Sequence, residues 1–66
     1  MTRETAMQTA ANRSTKSPRY VVWDGDDFGA SNVGQGGYQV ANESDLEGFY
    51  NGCTIIACFE NGEYQP

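Results

Sequence analysis

Asp24, Asp26 and Asp27 stand in the stretch Trp23-Asp24-Gly25-Asp26-Asp27-Phe28-Gly29. Carboxylates this dense can ligate a metal, act as catalytic acid and base, or present a fixed negative surface. The calcium-loop pattern begins well, with acids at positions 1 and 3 and Gly at 6. It then fails, because Phe28 occupies position 5 and Gln35 stands where a bidentate Glu is required. No metal site and no cofactor is expected. Asp27-Phe28-Gly29 also spells the kinase metal-binding triplet, but so short a chain has no room for the phosphate loop, paired Lys and catalytic loop that must accompany it. Paired carboxylates can cleave glycosides at suitable separation. Here they sit in a glycine-rich segment without the mass to build a water-excluding cleft. With no His in the chain to serve as a base, no catalytic residues are assigned and the protein is not expected to be an enzyme.

The third use of the acids follows from where the charges fall. Net charge is −5 over 66 residues. Residues 1–19 hold all the cations, Arg3, Arg13, Lys16 and Arg19, against Glu4 alone, a net of +3. Residues 20–66 hold Asp24, Asp26, Asp27, Glu43, Asp45, Glu47, Glu60 and Glu63 with no cation, a net of −8. Surfaces of small domains ordinarily mix both signs; an unmixed surface projects a one-signed field.

The elements that position these acids are those of one small domain. Residues 1–18 contain no Leu, Ile, Val or aromatic residue. They are expected to form a flexible basic arm, dispensable for folding, with at most a transient helix over Glu4 to Ala11. Pro18 marks the boundary with an acidic domain over residues 19–66. Arg19-Tyr20-Val21-Val22-Trp23 has strand composition, as does Gly37 to Ala41, and the glycine-rich stretch between them reads as a long hairpin loop. Asn42 to Gly52 is the best helix: Ser44 and Glu47 match a capping box, Leu46, Phe49 and Tyr50 form an apolar stripe, and Gly52 is a natural stop. Cys53 to Phe59 reads as a central strand, followed by an Asn61-Gly62 turn and a short edge at Tyr64-Gln65. The expected fold is α+β, a small antiparallel sheet of three or four strands in ββαβ order with one helix packed on it. Its core would hold Val22 or its neighbours with Leu46, Phe49, Ile55 and Phe59. Cys53 and Cys58 read as buried thiols in a reducing compartment, and the longest apolar run, Cys53 to Phe59, is far short of the roughly 20 residues needed to span a membrane.

On these elements the acids acquire spacing. Asp24 and Asp26 on an extended strand lie about 6.6 Å apart, and Glu43 and Glu47 on a helix about 5–6 Å apart. DNA phosphates rise about 3.4 Å per step along the axis and lie somewhat further apart through space. Asp24, Asp26, Asp27, Glu43, Asp45 and Glu47 can thus imitate a phosphate ladder that attracts nucleic-acid-binding proteins and repels nucleic acid itself.

A short, acidic α+β chain with no catalytic set, running from Tyr20-Val21-Val22-Trp23-Asp24 through Phe59-Glu60-Asn61-Gly62, resembles the small phage-encoded anti-CRISPR proteins. Within that group it is similar to inhibitors of type I systems, with type I-C as one candidate subtype. These proteins share no signature motif, so no site is carried over residue by residue. The resemblance implies a stoichiometric inhibitor in the host bacterial cytoplasm. It would bind the Cascade surveillance complex where basic side chains grip target DNA, and act as a monomer or weak homodimer. The basic segment 1–18 departs from a pure DNA mimic. A reading from another class is a structural or regulatory module that self-associates through a sheet edge.

Overall fold

The β-branched and aromatic run that begins at Arg19 forms a strand, β1 (Arg19–Trp23). The computed structural model describes residues 1–23 and 37–66. Numbered in chain order, the remaining elements are helix α1 (Arg3–Arg13), β2 (Tyr38–Ala41), helix α2 (Glu43–Glu47), β3 (Thr54–Glu60) and β4 (Glu63–Gln65). The four strands make one antiparallel sheet in the order β2-β1-β3-β4, so the protein is α+β. Asn61 and Gly62 both have positive φ, 54° and 82°, as the expected type I′ turn between β3 and β4 demands.

The element order is αββαββ: the expected ββαβ run appears from residue 19 on, but a helix, α1, precedes it where a flexible arm was expected. Thr2 caps the helix by accepting a hydrogen bond from the Thr5 amide, with Glu4 in the first turn and Arg13 in the last, each suited to the helix dipole. Ala6 and Ala10 are wholly buried in one cluster with Val21, Ala57 and Phe59. Met1, Met7 and Ala11 pack at its margin. Alanine carries little apolar area, but its small side chain lets a helix backbone sit close on a sheet whose Val and Phe supply the bulk. Bulky residues in the segment itself are therefore not needed. Both ends of the segment are also tied. The Tyr38 amide donates to the Met1 carbonyl at 3.1 Å and the Met1 amine to the Tyr38 carbonyl at 2.9 Å. At the far end Ser14, 1% exposed, holds the β3–β4 turn.

Helix α2 is shorter than expected and capped differently. Asn42, not Ser44, is the N-cap: the Asp45 amide donates to Asn42 Oδ1 at 2.8 Å and the Asn42 amide to Asp45 Oδ2 at 3.3 Å. Gly48 ends the helix well before Gly52, because glycine costs about 1 kcal/mol in a helix interior and no buried stripe offsets it. Phe49 therefore lies beyond the helix, 75% exposed, with its ring edge-on to Tyr50 at 4.8 Å. Leu46 is half-buried.

A register shift between Val21 and Val22 divides the sheet's two faces. Val21 opposes Ala57, but Val22 opposes Ile55, leaving Ile56 as the extra residue of a bulge. Without the bulge, Ile55 would share a face with Ala57 and Phe59. With it, Ile55 turns away from α1 and is 52% exposed, while Ile56 packs against the core cluster. The expected core thus loses Leu46, Phe49 and Ile55 and keeps Val21, Val22 and Phe59.

Candidate functional site

Alternation along the paired strands assigns each side chain to a face. One face, with Val21, Val40, Ala57 and Phe59, packs beneath α1. The other begins with Tyr20, whose cross-strand partners are Ala41 on β2 and Cys58 on β3. Two residues along, Val22 opposes Ile55; two beyond Cys58 comes Glu60, which opposes Glu63. Two beyond Ala41 the chain reaches Glu43, the first residue of α2.

This geometry gathers acids from separate elements at one end of the sheet. Glu43 and Glu60 both act on the Tyr20 phenol. Burial is the first cause that pushes its pKa above the ordinary 10.0, followed by the electrostatic effects of Cys58, Glu43 and Glu60. Tyr20 therefore remains a neutral hydrogen-bonding group throughout the physiological range. The Glu60–Glu63 pair sets like charges directly across a two-strand ladder, which costs stability on the order of 0.2–1 kcal/mol. No cation relieves it: the Arg19 guanidinium donates instead to the Ser17 and Pro18 carbonyls, at 3.1 and 3.2 Å, and to the Ser17 hydroxyl. Among the described residues Glu43, Glu47, Glu60 and Glu63 form no ion pair.

Of the acids singled out by sequence, Glu43 and Glu47 lie exposed on α2. Asp45 is half-buried and committed to the capping box, so it is a structural residue first. Asp24, Asp26 and Asp27, with the calcium-loop reading that used them, lie outside the described residues. Glu60 and Tyr20 escaped the sequence reading. The signal for Glu60 was its position two beyond Cys58 on a strand, beside the Asn61-Gly62 turn.

A shallow, open depression lined by Ser17, Pro18, Asn42, Glu43 and Ser44 adjoins the acids. Among the described residues no group of three or more His, Cys, Asp or Glu side chains could hold a metal ion. Cys53 and Cys58 are free thiols, half-buried rather than buried as expected. No helix among the described residues is long and apolar enough to cross a membrane. No family model, curated protein or solved structure matches the chain.

Proposed function

We propose that the protein is an anti-CRISPR inhibitor, a non-enzymatic acidic protein that binds a type I surveillance complex, Cascade, in the host bacterial cytoplasm and blocks its grip on target DNA. The observation that supports this reading is that Glu43 and Glu60, from different elements at one end of the sheet, both act electrostatically on Tyr20 while neither forms an ion pair among the described residues. Such an arrangement keeps its field for a partner rather than spending it inside the fold. Glu47 and Glu63 extend the surface, and Asp24, Asp26 and Asp27 add three carboxylates by sequence. The cations Arg3 and Arg13 lie on the helix that packs on the other sheet face, so they need not spoil a mimic surface on this one. Self-association through a sheet edge has less support, since β4 offers only three residues for pairing and Met1 pairs beside the start of β2.

Phage plaquing on a host with an active type I system tests the proposal. Expression of the full chain should restore plaques, and a variant with Glu43→Gln and Glu60→Gln should restore them poorly. Unchanged plaquing by the unmodified protein across type I subtypes would overturn the assignment. Full protection by the double variant would overturn the role given to these two carboxylates.

A further inference from the structure

We propose that Asn51 is a site of spontaneous covalent modification with water as the reactant, and that the hydrogen bond from the Gly62 amide to Ser14 spares Asn61 the same reaction. This inference goes beyond the inhibitor reading and does not depend on it.

The chain contains two Asn-Gly pairs, Asn51-Gly52 and Asn61-Gly62. Asparagine is a thermolabile residue, and a following glycine, with no side chain to shield its amide, makes it more so. The Gly52 nitrogen loses its proton to solvent and forms a bond to Asn51 Cγ. The Nδ2 group leaves as ammonia, and a cyclic imide remains. Water then opens the ring at either carbonyl, giving Asp or its β-linked isomer. The net change consumes water and releases ammonia, and it needs no oxidant.

Structure separates the two pairs. Asn51 and Gly52 lie in the turn between α2 and β3, and both are exposed. Gly52 has a φ of 88°, open space where a side chain would stand, and an amide that makes no hydrogen bond among the described residues. The Asn51 side chain is held by one exposed bond, from Nδ2 to the Glu47 carbonyl at 3.3 Å. At the second pair both backbone nitrogens are fastened. The Asn61 amide donates to the Ser14 carbonyl at 3.0 Å, and the Gly62 amide, which would be the attacking group, donates to Ser14 Oγ at 2.8 Å. Ser14 is itself 1% exposed and donates to the Ala11 carbonyl. Reaction at Asn61 must wait for this contact to open, whereas reaction at Asn51 needs only motion within an exposed turn. Conversion of Asn51 adds a carboxylate to a stretch without cations and removes the donor that met the Glu47 carbonyl.

The test is storage of the folded full chain in mildly alkaline buffer, followed by ion-exchange separation and mass spectrometry of proteolytic peptides. A more acidic species should accumulate, with the change at Asn51. Asn61 should convert about tenfold more slowly, the suppression expected from one hydrogen bond of ordinary net strength. Glu60 and Glu63 flank the second pair in any conformation, so a parallel sample in urea isolates the effect of the fold. There the gap between the two sites should narrow. Asn51→Gln should remove most of the acidic species. Ser14→Ala, stored below its melting temperature, should speed conversion at Asn61 and leave Asn51 unchanged. Equal rates at the two sites in the folded protein, faster conversion at Asn61, or a ratio that urea leaves unchanged would overturn the proposal. So would an intact Asn51 in folded protein that urea converts, an acidic species that persists in Asn51→Gln, or a folded Ser14→Ala chain in which Asn61 stays as slow as before. If Ser14→Ala does not fold, the folded and urea-treated parent samples decide alone.

Discussion

The Gly62 amide donates a 2.8 Å hydrogen bond to Ser14 Oγ across 48 positions of sequence. The same hydroxyl donates to the Ala11 carbonyl at 2.8 Å, and the Ser14 carbonyl accepts from the Asn61 amide at 3.0 Å. One buried serine therefore fastens the end of α1 to the turn between β3 and β4. Ser14→Ala removes the acceptor and leaves the Gly62 amide unsatisfied, at a cost of about 1–3 kcal/mol. Thermal unfolding should report a loss on the order of 5–15 °C for so small a domain. An unchanged melting temperature would show that the clasp contributes nothing.

Helix α1 is part of the folding unit, so removing residues 1–16 should unfold the domain rather than trim an arm. The truncation uncovers Val21, Ala57 and Phe59 together. A subtler variant makes the same point: Ala10→Leu must force a larger side chain into a fully buried position, costing about 1–3 kcal/mol. Dispersed amide signals from the truncated chain, or full stability of Ala10→Leu, would place α1 off the sheet.

The two acids at the ends of the α2 capping question should behave oppositely. Asn42→Ala should cost about 0.5–2 kcal/mol, with Asp45→Ala affected in the same direction because its carboxylate accepts from the Asn42 amide. Glu47→Ala, at an exposed position outside the box, should stay within about 0.5 kcal/mol of the parent. Denaturant unfolding of the three variants distinguishes this box from one built on Ser44 and Glu47, for which Glu47→Ala rather than Asp45→Ala would be the damaging change.

Tyr20 sets a pH dependence on the alkaline side. Its folded pKa lies above 10.0, so the folded state holds its proton more tightly than the unfolded state does. Its contribution to stability is full below the unfolded pKa and is lost as pH rises through the folded value. Ultraviolet titration should show a tyrosine that ionises above 10.0 and disappears in Tyr20→Phe. Glu43→Gln and Glu60→Gln should each lower that value. No change in either would mean that the carboxylates lie too far away to matter.

The strand β1, the Asn61-Gly62 turn and the α+β class were legible in sequence because each rests on local chemistry: β-branched runs, and a turn type that needs two positive φ angles. The failures share a different cause, a decision made by tertiary packing. Strict alternation puts Ile55 in the core with Phe59, yet one bulge opposite Val21 and Val22 gives that place to Ile56. Counting bulky side chains dismisses residues 1–18, yet Ala6 and Ala10 bury completely against residues distant in sequence. Asn42 and Ser44 each have an acid three positions on, so both satisfy the capping-box pattern. Only the backbone shows that Asn42 starts the helix. At the candidate site, Glu43 and Glu47 were readable as exposed helix acids. Glu60 was not, because its reach to Tyr20 is a property of the β1–β3 pairing, which no local pattern encodes.

Competition for DNA by a purified type I surveillance complex tests the central claim most directly. The unmodified protein should displace target DNA stoichiometrically, and its binding to the complex should weaken steeply as salt rises, because near charge pairs act over a Debye length of about 8 Å at physiological ionic strength. The Glu43→Gln, Glu60→Gln double variant, checked for an unchanged melting temperature, should displace DNA poorly at the same concentration. Equal displacement by the double variant, with affinity indifferent to salt, would contradict an electrostatic mimic.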